Sequence, residues 1–173
     1  LLFGPSCTGK TTVIRQLNSL HGWAIVPTET TRTVRSGETE KINIDLPEFE
    51  KRKRDGHYLC CNFLFGNWYG TPLPPINSAV SSSSPHLLDM PIQSRCTIFR
   101  NIPHLGIVIV PESRSALLAQ IKSANREERI ESIMNEYDTE YAGLSRRSND
   151  PALLCIANYF GKIEKTVDEV CMS

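Results

Sequence analysis

The chain has no apolar run near the roughly 20 residues that span a bilayer, and no charged leader precedes a hydrophobic segment with a cleavage site. It therefore reads as a soluble protein with no membrane partner. It also lacks net charge, with 19 Lys and Arg against 19 Asp and Glu. That balance argues against a nucleic-acid coat or a membrane-surface protein and leaves any anion binding to local clusters. The six cysteines, Cys7, Cys60, Cys61, Cys96, Cys155 and Cys171, include no CxxC or CxxH pair. Neither a zinc site nor a disulfide framework is favoured, and reduced thiols in a cytoplasmic protein are the simpler expectation. None of the four histidines falls in a catalytic or metal pattern, and no internal repeat is present. The chain opens at Leu1 with no methionine, so its natural start is expected a residue or a few upstream. Its 173 residues suffice for one well-packed domain and not comfortably for two.

What is present alternates. Leu1 to Phe3 is an apolar run leading into a glycine-bounded turn, and Thr11 to Leu20 then sets Val13, Ile14, Leu17 and Leu20 on one helical face. A second apolar run, Trp23 to Val26, is followed by Thr28 to Glu40, whose threonine, arginine and glycine content reads as an extended loop. Pro47 to Arg54 predicts a short charged helix ended by Asp55 and Gly56, and His57 to Trp68 predicts the strands of a small insert. Pro72 to Ser84, rich in proline and serine, predicts a weak helix or a mobile segment. His86 to Met90, Gly106 to Val110 and Leu153 to Ala157 are short buried-strand candidates. Leu117 to Ile121 and Ile130 to Tyr141 are two helical pieces around a charged connection, and Lys162 to Val170 is a last amphipathic helix. Alternating strands and helices with short apolar runs predict an α/β fold, a parallel sheet covered by helices, with ligands at the carboxyl ends of the strands.

Gly4-Pro5-Ser6-Cys7-Thr8-Gly9-Lys10-Thr11 satisfies GxxxxGK[ST] with a strand before it and an amphipathic helix after it, the context that a P-loop NTPase fold requires. Glycines let backbone N–H groups curl around a phosphate, the helix adds its positive N-terminus, Lys10 reaches the β and γ oxygens, and the Thr11 hydroxyl ligates Mg²⁺. Thr8 and Thr12 add hydroxyls. ATP with Mg²⁺ is the expected cofactor. The motif leaves the second substrate open, although no NKxD base-reading motif of a nucleotide switch occurs. Arg32 and Arg35, in Thr30-Thr-Arg-Thr-Val-Arg-Ser-Gly-Glu38, have the guanidinium chemistry of an anion clamp. Gly66-Asn-Trp-Tyr-Gly-Thr71 adds a phenol and a hydroxyl at a strand end.

In this order and at this spacing, GPSCTGKTT, TTRTVRSGE, GNWYGT and LLDM are similar to guanylate kinases, over nearly the whole chain. The resemblance implies that Arg32, Arg35 and Tyr69 hold the acceptor phosphate and that Thr28 and Thr71 contact the base. It further implies that Asp89 organises the acceptor and metal end, that Arg129 neutralises charge during transfer, and that Asn158 lies near the adenine. It divides the single domain, residues 1–173, into a core (1–27 and 85–173), an acceptor-binding insert (about 28–84) and a short lid (about 122–129). The plainer readings are a half-buried strand residue for Tyr69, a cap for Asp89, and a surface ion pair with Glu136 or Glu131 for Arg129.

The departures bear on the acceptor. The glutamate that reads the guanine edge in the family falls at Cys60. A phosphate-binding tyrosine expected near Ile44 is absent from a shortened segment, LDID becomes Leu88-Asp89-Met90-Pro91, and a lid arginine aligns with Gln120, with Arg126 as a substitute. These features also resemble ribose 1,5-bisphosphate phosphokinases. The expected activity is transfer of the ATP γ-phosphate to a nucleoside monophosphate, GMP or dGMP first. The alternatives are a sugar-phosphate kinase and a guanylate kinase-like binding module without catalysis. The partner is a small-molecule phosphate acceptor, with no nucleic acid, and the chain is expected to be a monomer or homodimer.

Overall fold

The computed structural model describes residues 1–92, 94, 102–142, 144, 153–159 and 161–172. Along the chain run β1 (Leu2–Phe3), α1 (Lys10–His21), β2 (Ala24–Ile25), β3 (Thr28–Thr30), β4 (Lys41–Asn43), α2 (Leu46–Arg54), β5 (Tyr58–Leu64), β6 (Asn67–Pro72), α3 (Leu73–Val80) and β7 (His86–Leu87). Then follow β8 (Gly106–Pro111), α4 (Arg114–Ser123), a 3-10 turn (Glu127–Arg129), α5 (Ile130–Glu136), a π-helical turn (Tyr137–Tyr141), β9 (Leu153–Asn158) and α6 (Ile163–Cys171). The chain forms two compact units: Leu1–His21, Asp89–Gln93 and His104–Ser173 in one, Gly22–Leu88 and Ser94–Pro103 in the other.

In the first unit β8, Gly-Ile-Val-Ile-Val-Pro, is the central strand of the parallel sheet β1-β8-β9. Its β-branched run is buried on both faces, as a strand covered on both sides requires. Leu2 and Phe3 pair with Ile107 and Val108, and Gly106 to Pro111 pair in step with Leu153 to Asn158. Val13, Ile14 and Leu17 are the buried stripe of α1, whereas Leu20, expected on that stripe, is 65% exposed after the last buried turn. Ser113 caps α4 by accepting from the Ala116 N–H, and Leu117 and Ile121 of that helix pack with Ile133 and Met134 of α5. Cys7, from the glycine loop, packs against this cluster.

In the second unit a mixed sheet runs β4-β3-β6-β5, with β3 parallel to β4 and antiparallel to β6, and β2 and β7 form a separate parallel pair. The structure overturns the sequence expectation in one segment and decides between its alternatives in another. Thr28 to Thr30 begins the expected loop as a strand, because β4 and β6 supply ladder partners on both sides of its β-branched residues. Leu73 to Val80 is a regular helix despite its prolines, which sit in the first turn where a missing N–H costs nothing, and Ile76 anchors it. Asp45 caps α2, and Phe49, the one buried residue of that helix, stacks on Tyr58 and Trp68 at centroid distances of 4.8 and 5.8 Å. Lys53 lies 3.9 Å over the Trp68 ring.

Among the described residues no helix is long and apolar enough to cross a membrane. Cys7, Cys60, Cys61, Cys155 and Cys171 are free thiols, and Cys96 lies outside the described residues. Since Phe49 is the one side chain of α2 buried against the aromatic face of the sheet, Phe49→Ala should destabilise the second unit by about 3–5 kcal/mol. A lowered urea midpoint measured by tryptophan fluorescence at Trp68 would show it.

Candidate active site

The loop Gly4 to Lys10 leaves β1 and enters α1 by a path that only certain residues can follow. A Cβ on Gly4 would lie 2.3 Å from the Ile109 carbonyl oxygen of β8, and Gly4 has φ +145. Gly9, at φ +87, passes so close to Asn158 that a Cβ would stand 2.6 Å from its Nδ2. Cys7 adopts φ 66 without being glycine, a strain that the curl of the loop imposes and the α4–α5 cluster holds in place. The buried Thr8 hydroxyl donates to the Pro5 carbonyl at 2.9 Å, so it is spent inside the loop. Lys10 Nζ donates to the carbonyls of Gly4 (2.6 Å) and Pro5 (2.9 Å), which folds the ammonium over the loop mouth. Thr11 is half-buried and Thr12 exposed in the first turn of α1.

Asn158, singled out from sequence, ends β9. Its side chain is buried beneath the loop, with Nδ2 donating to the Thr8 carbonyl at 2.7 Å and Oδ1 accepting from the Thr166 hydroxyl at 2.7 Å. Both polar ends are engaged, and Asn158 braces the loop.

Lys10, Arg129 and Asp89 all lie within the field of a fourth charged group, Glu136. Asp89 pairs with Leu2 across a parallel bridge beside β1. Arg129 ends the 3-10 turn, half-buried. Glu136, the last residue of α5, accepts from the Ser6 N–H at 3.3 Å. Burial raises its carboxyl above the ordinary carboxylate range with help from Asp89, against the pull of Lys10, the Ser6 N–H and Arg129. Burial likewise raises the Tyr141 phenol, which neighbours Glu136, Asp89 and the backbone of Gly4. The guanidinium of Arg126 reaches Cys7 Sγ at 3.5 Å.

The second unit holds the other constellation. Residues opposed across an antiparallel ladder share a face. The pairs Thr30–Tyr69, Asn62–Tyr69 and Cys60–Thr71 therefore line one face of the sheet, with Thr28 beside Thr30 two residues back along β3. Thr28 and Thr71 are buried there. The Cys60 thiol sits at the Thr71 hydroxyl, and burial pushes its pKa up, so it stays neutral. Glu29 points to the opposite face, where it accepts from Arg52 and the Tyr58 hydroxyl at 2.6 Å each. Arg32 bonds the Tyr69 phenol and donates to Glu38 Oε2 at 2.9 Å, while Arg35 donates to the same carboxylate through its N–H (2.8 Å) and its Nη1 (3.2 Å). Asn43 of β4 ties the Arg32 carbonyl at 2.8 Å.

Of the residues singled out from sequence, Lys10, Asp89 and Arg129 thus meet around the loop in one unit, and Arg32, Arg35 and Tyr69 meet in the other. Sequence reasoning missed the roles of two carboxylates. Glu38 closes the very motif that contains Arg32 and Arg35, which was the available signal. Glu136 was weighed only as an ion partner of Arg129, and no local pattern ties it to Ser6.

A strained glycine loop between a buried parallel strand and a helix, ringed by a lysine, an arginine and two carboxylates, defines a P-loop α/β protein built to hold a nucleotide phosphate. A family model described as an AAA domain matches residues 1–60. Curated guanylate kinases of Synechococcus sp. (strain CC9311) and Chlorobium chlorochromatii are 31% and 30% identical over 133 and 130 residues, 73% and 72% of this chain and 70% and 68% of theirs. A guanylate kinase of Anaplasma phagocytophilum superposes with a TM-score of 0.70 at 21% identity, over 99% of this chain and 80% of that one, and shares its fold. The chain belongs to the guanylate kinase family. Its match spans a little under two thirds of the guanylate kinases of Chlorobium luteolum (66%) and Neisseria gonorrhoeae (65%), each 28% identical to it.

Burial pulls the Glu38 carboxyl up, but the Arg35 N–H and the two guanidiniums outweigh it and hold the group below the usual range. A depressed carboxyl contributes stability above its unfolded pKa of about 4.3 and loses it as pH falls through the folded value. Glu38→Gln should therefore lower the urea midpoint at pH 7, and the gap to the parent should close as the pH drops below about 4.

Proposed function

We propose that this chain is an ATP-dependent phosphotransferase of guanylate kinase type, which moves the γ-phosphate of ATP onto the phosphate of a nucleoside monophosphate, GMP or dGMP first, in the cytoplasm. The observation that carries the reading is the pairing of a braced phosphate loop in one unit with a second, differently built anion site in the other, where Arg32 and Tyr69 are joined directly and Glu38 fixes both arginines. A scaffold that only recruits proteins has no use for either.

The donor end would bind ATP through the loop N–H groups and Lys10, with Arg129 offsetting charge on the transferring group. Mg²⁺ fits the donors present. The Thr11 hydroxyl and nearby carboxylates are hard oxygens, and among the described residues no cluster of three His, Cys, Asp or Glu holds a metal by itself. An ion held by one hydroxyl, water and the nucleotide's own phosphates matches the coordination Mg²⁺ prefers, and it would supply charge neutralisation at those phosphates. At the acceptor end, Arg32, Arg35 and Tyr69 hold the acceptor phosphate, with Thr28 and Thr71 towards the base. The attacking oxygen is already ionised, so no general base is needed, and the protein's part is positioning and charge.

One observation favours a sugar-phosphate acceptor as second reading. Cys60 is a neutral thiol engaged with Thr71, so that position offers a base edge no carboxylate. A base-reading site deprived of its charged acceptor discriminates poorly.

Coupled ADP-release assays with Mg-ATP and GMP, dGMP, AMP, UMP or ribose 1,5-bisphosphate at matched concentration test the proposal. Turnover with GMP or dGMP supports it. Turnover with ribose 1,5-bisphosphate alone moves the assignment to the sugar-phosphate kinase, and no turnover with any acceptor sinks the enzyme reading. Lys10→Ala should cut kcat at least about a hundredfold. Arg32→Ala should raise KM for the acceptor while leaving KM for ATP within about twofold.

A further inference from the structure

The loop's chemistry consists of turning N–H groups and one ammonium towards an anion, and the chain already supplies an anion of its own. Glu136 Oε2 takes the Ser6 N–H at 3.3 Å, with Lys10 and Arg129 attracting the carboxylate and Asp89 repelling it. The packing of α5 does not call for a carboxylate here, since the helix is held by Ile133 and Met134. Glu136 reaches the loop instead across a separation of 130 residues. An incoming polyphosphate needs the same donors and carries the same sign of charge.

We propose that Glu136 is an internal competitor for the phosphate loop, a carboxylate that nucleotide phosphate displaces from the Ser6 N–H and from the field of Lys10 and Arg129. The chain thereby sets its own ATP affinity. This rests on the loop being the ATP site, as proposed above, and adds to that reading a group that opposes binding rather than assisting it. Displacement has a mechanical consequence, because Glu136 joins α5 to the π-helical turn carrying Tyr141, and the α4–α5 cluster also holds Cys7 of the loop. Filling the loop therefore pushes on the end of α5.

Glu136→Gln keeps the side chain's size and an oxygen that accepts from Ser6 but removes the charge. Calorimetric titration of the whole chain with ATP and with tripolyphosphate, which has no base or sugar, should show both binding on the order of tenfold more tightly to Glu136→Gln than to the parent, a magnitude ordinary for coupled binding events. Glu136→Asp, which keeps the charge, should stay within about threefold of the parent. Affinity equal to or weaker than the parent's in Glu136→Gln would overturn the proposal, because a group that merely supports the loop weakens binding when altered. Tightening of the same size in Glu136→Asp would also overturn it, since shape rather than charge would then be the cause. A parent chain that binds no ATP while Glu136→Gln binds tripolyphosphate would sink the phosphotransferase reading and leave the internal competitor standing; no binding by either would sink both.

Discussion

A phosphate loop is a row of backbone N–H groups made to face one way against their own repulsion, and here that arrangement hangs on one buried amide. Asn158 ends β9, holds the Thr8 carbonyl on one side and receives the Thr166 hydroxyl of α6 on the other. The glycine that lets the loop pass, Gly9, is a glycine because Asn158 fills the space a Cβ would need. Gly4 answers to the same kind of constraint from the Ile109 carbonyl. The sheet thus shapes the loop from beneath while α4 and α5 grip Cys7 from the side. A buried amide satisfied at both ends is costly to disturb, since each orphaned partner loses about 1–3 kcal/mol.

The second unit solves a different problem, that of holding two guanidiniums close together. Two nearby cations repel unless something of opposite charge fixes them, and Glu38 does this for Arg32 and Arg35 at once. Its sheet separates duties by face. Glu29, Arg52, Tyr58, Phe49 and Trp68 form the structural side with α2, and Tyr69, Thr71, Thr28 and Cys60 line the other. Glu29 and Glu38 therefore do different work in this unit: the first secures the aromatic layer, and the second holds two guanidiniums together.

The two units share a design in which charge is held against charge before any ligand arrives. Glu38 restrains the guanidiniums of Arg32 and Arg35, and Glu136 stands between Lys10 and Arg129 on one side of the balance and Asp89 on the other. The difference lies in position. Glu38 sits six residues from Arg32 in one loop and orients it, whereas Glu136 comes from a distant helix and takes a donor of the loop itself.

The amino-acid sequence by itself determined the phosphate loop, the helix after it, the central β-branched strand of the first unit and the arginine motif. Each is written in local spacing, because the chemistry of a curled loop, a 3.6-residue period or a doubly covered strand involves near neighbours. Thr28 to Thr30 has the composition of a loop and became a strand through its ladder partners, while for Leu73 to Val80, where composition left a weak helix or a mobile segment open, one buried isoleucine secured the helix. Only the tertiary structure decided that Asn158 braces the loop and that Glu136 faces Ser6. Those contacts join residues 150 and 130 positions apart. A hydrogen bond acts over about 3 Å, and no spacing rule along the chain encodes which distant side chains the packing of a sheet will bring that near.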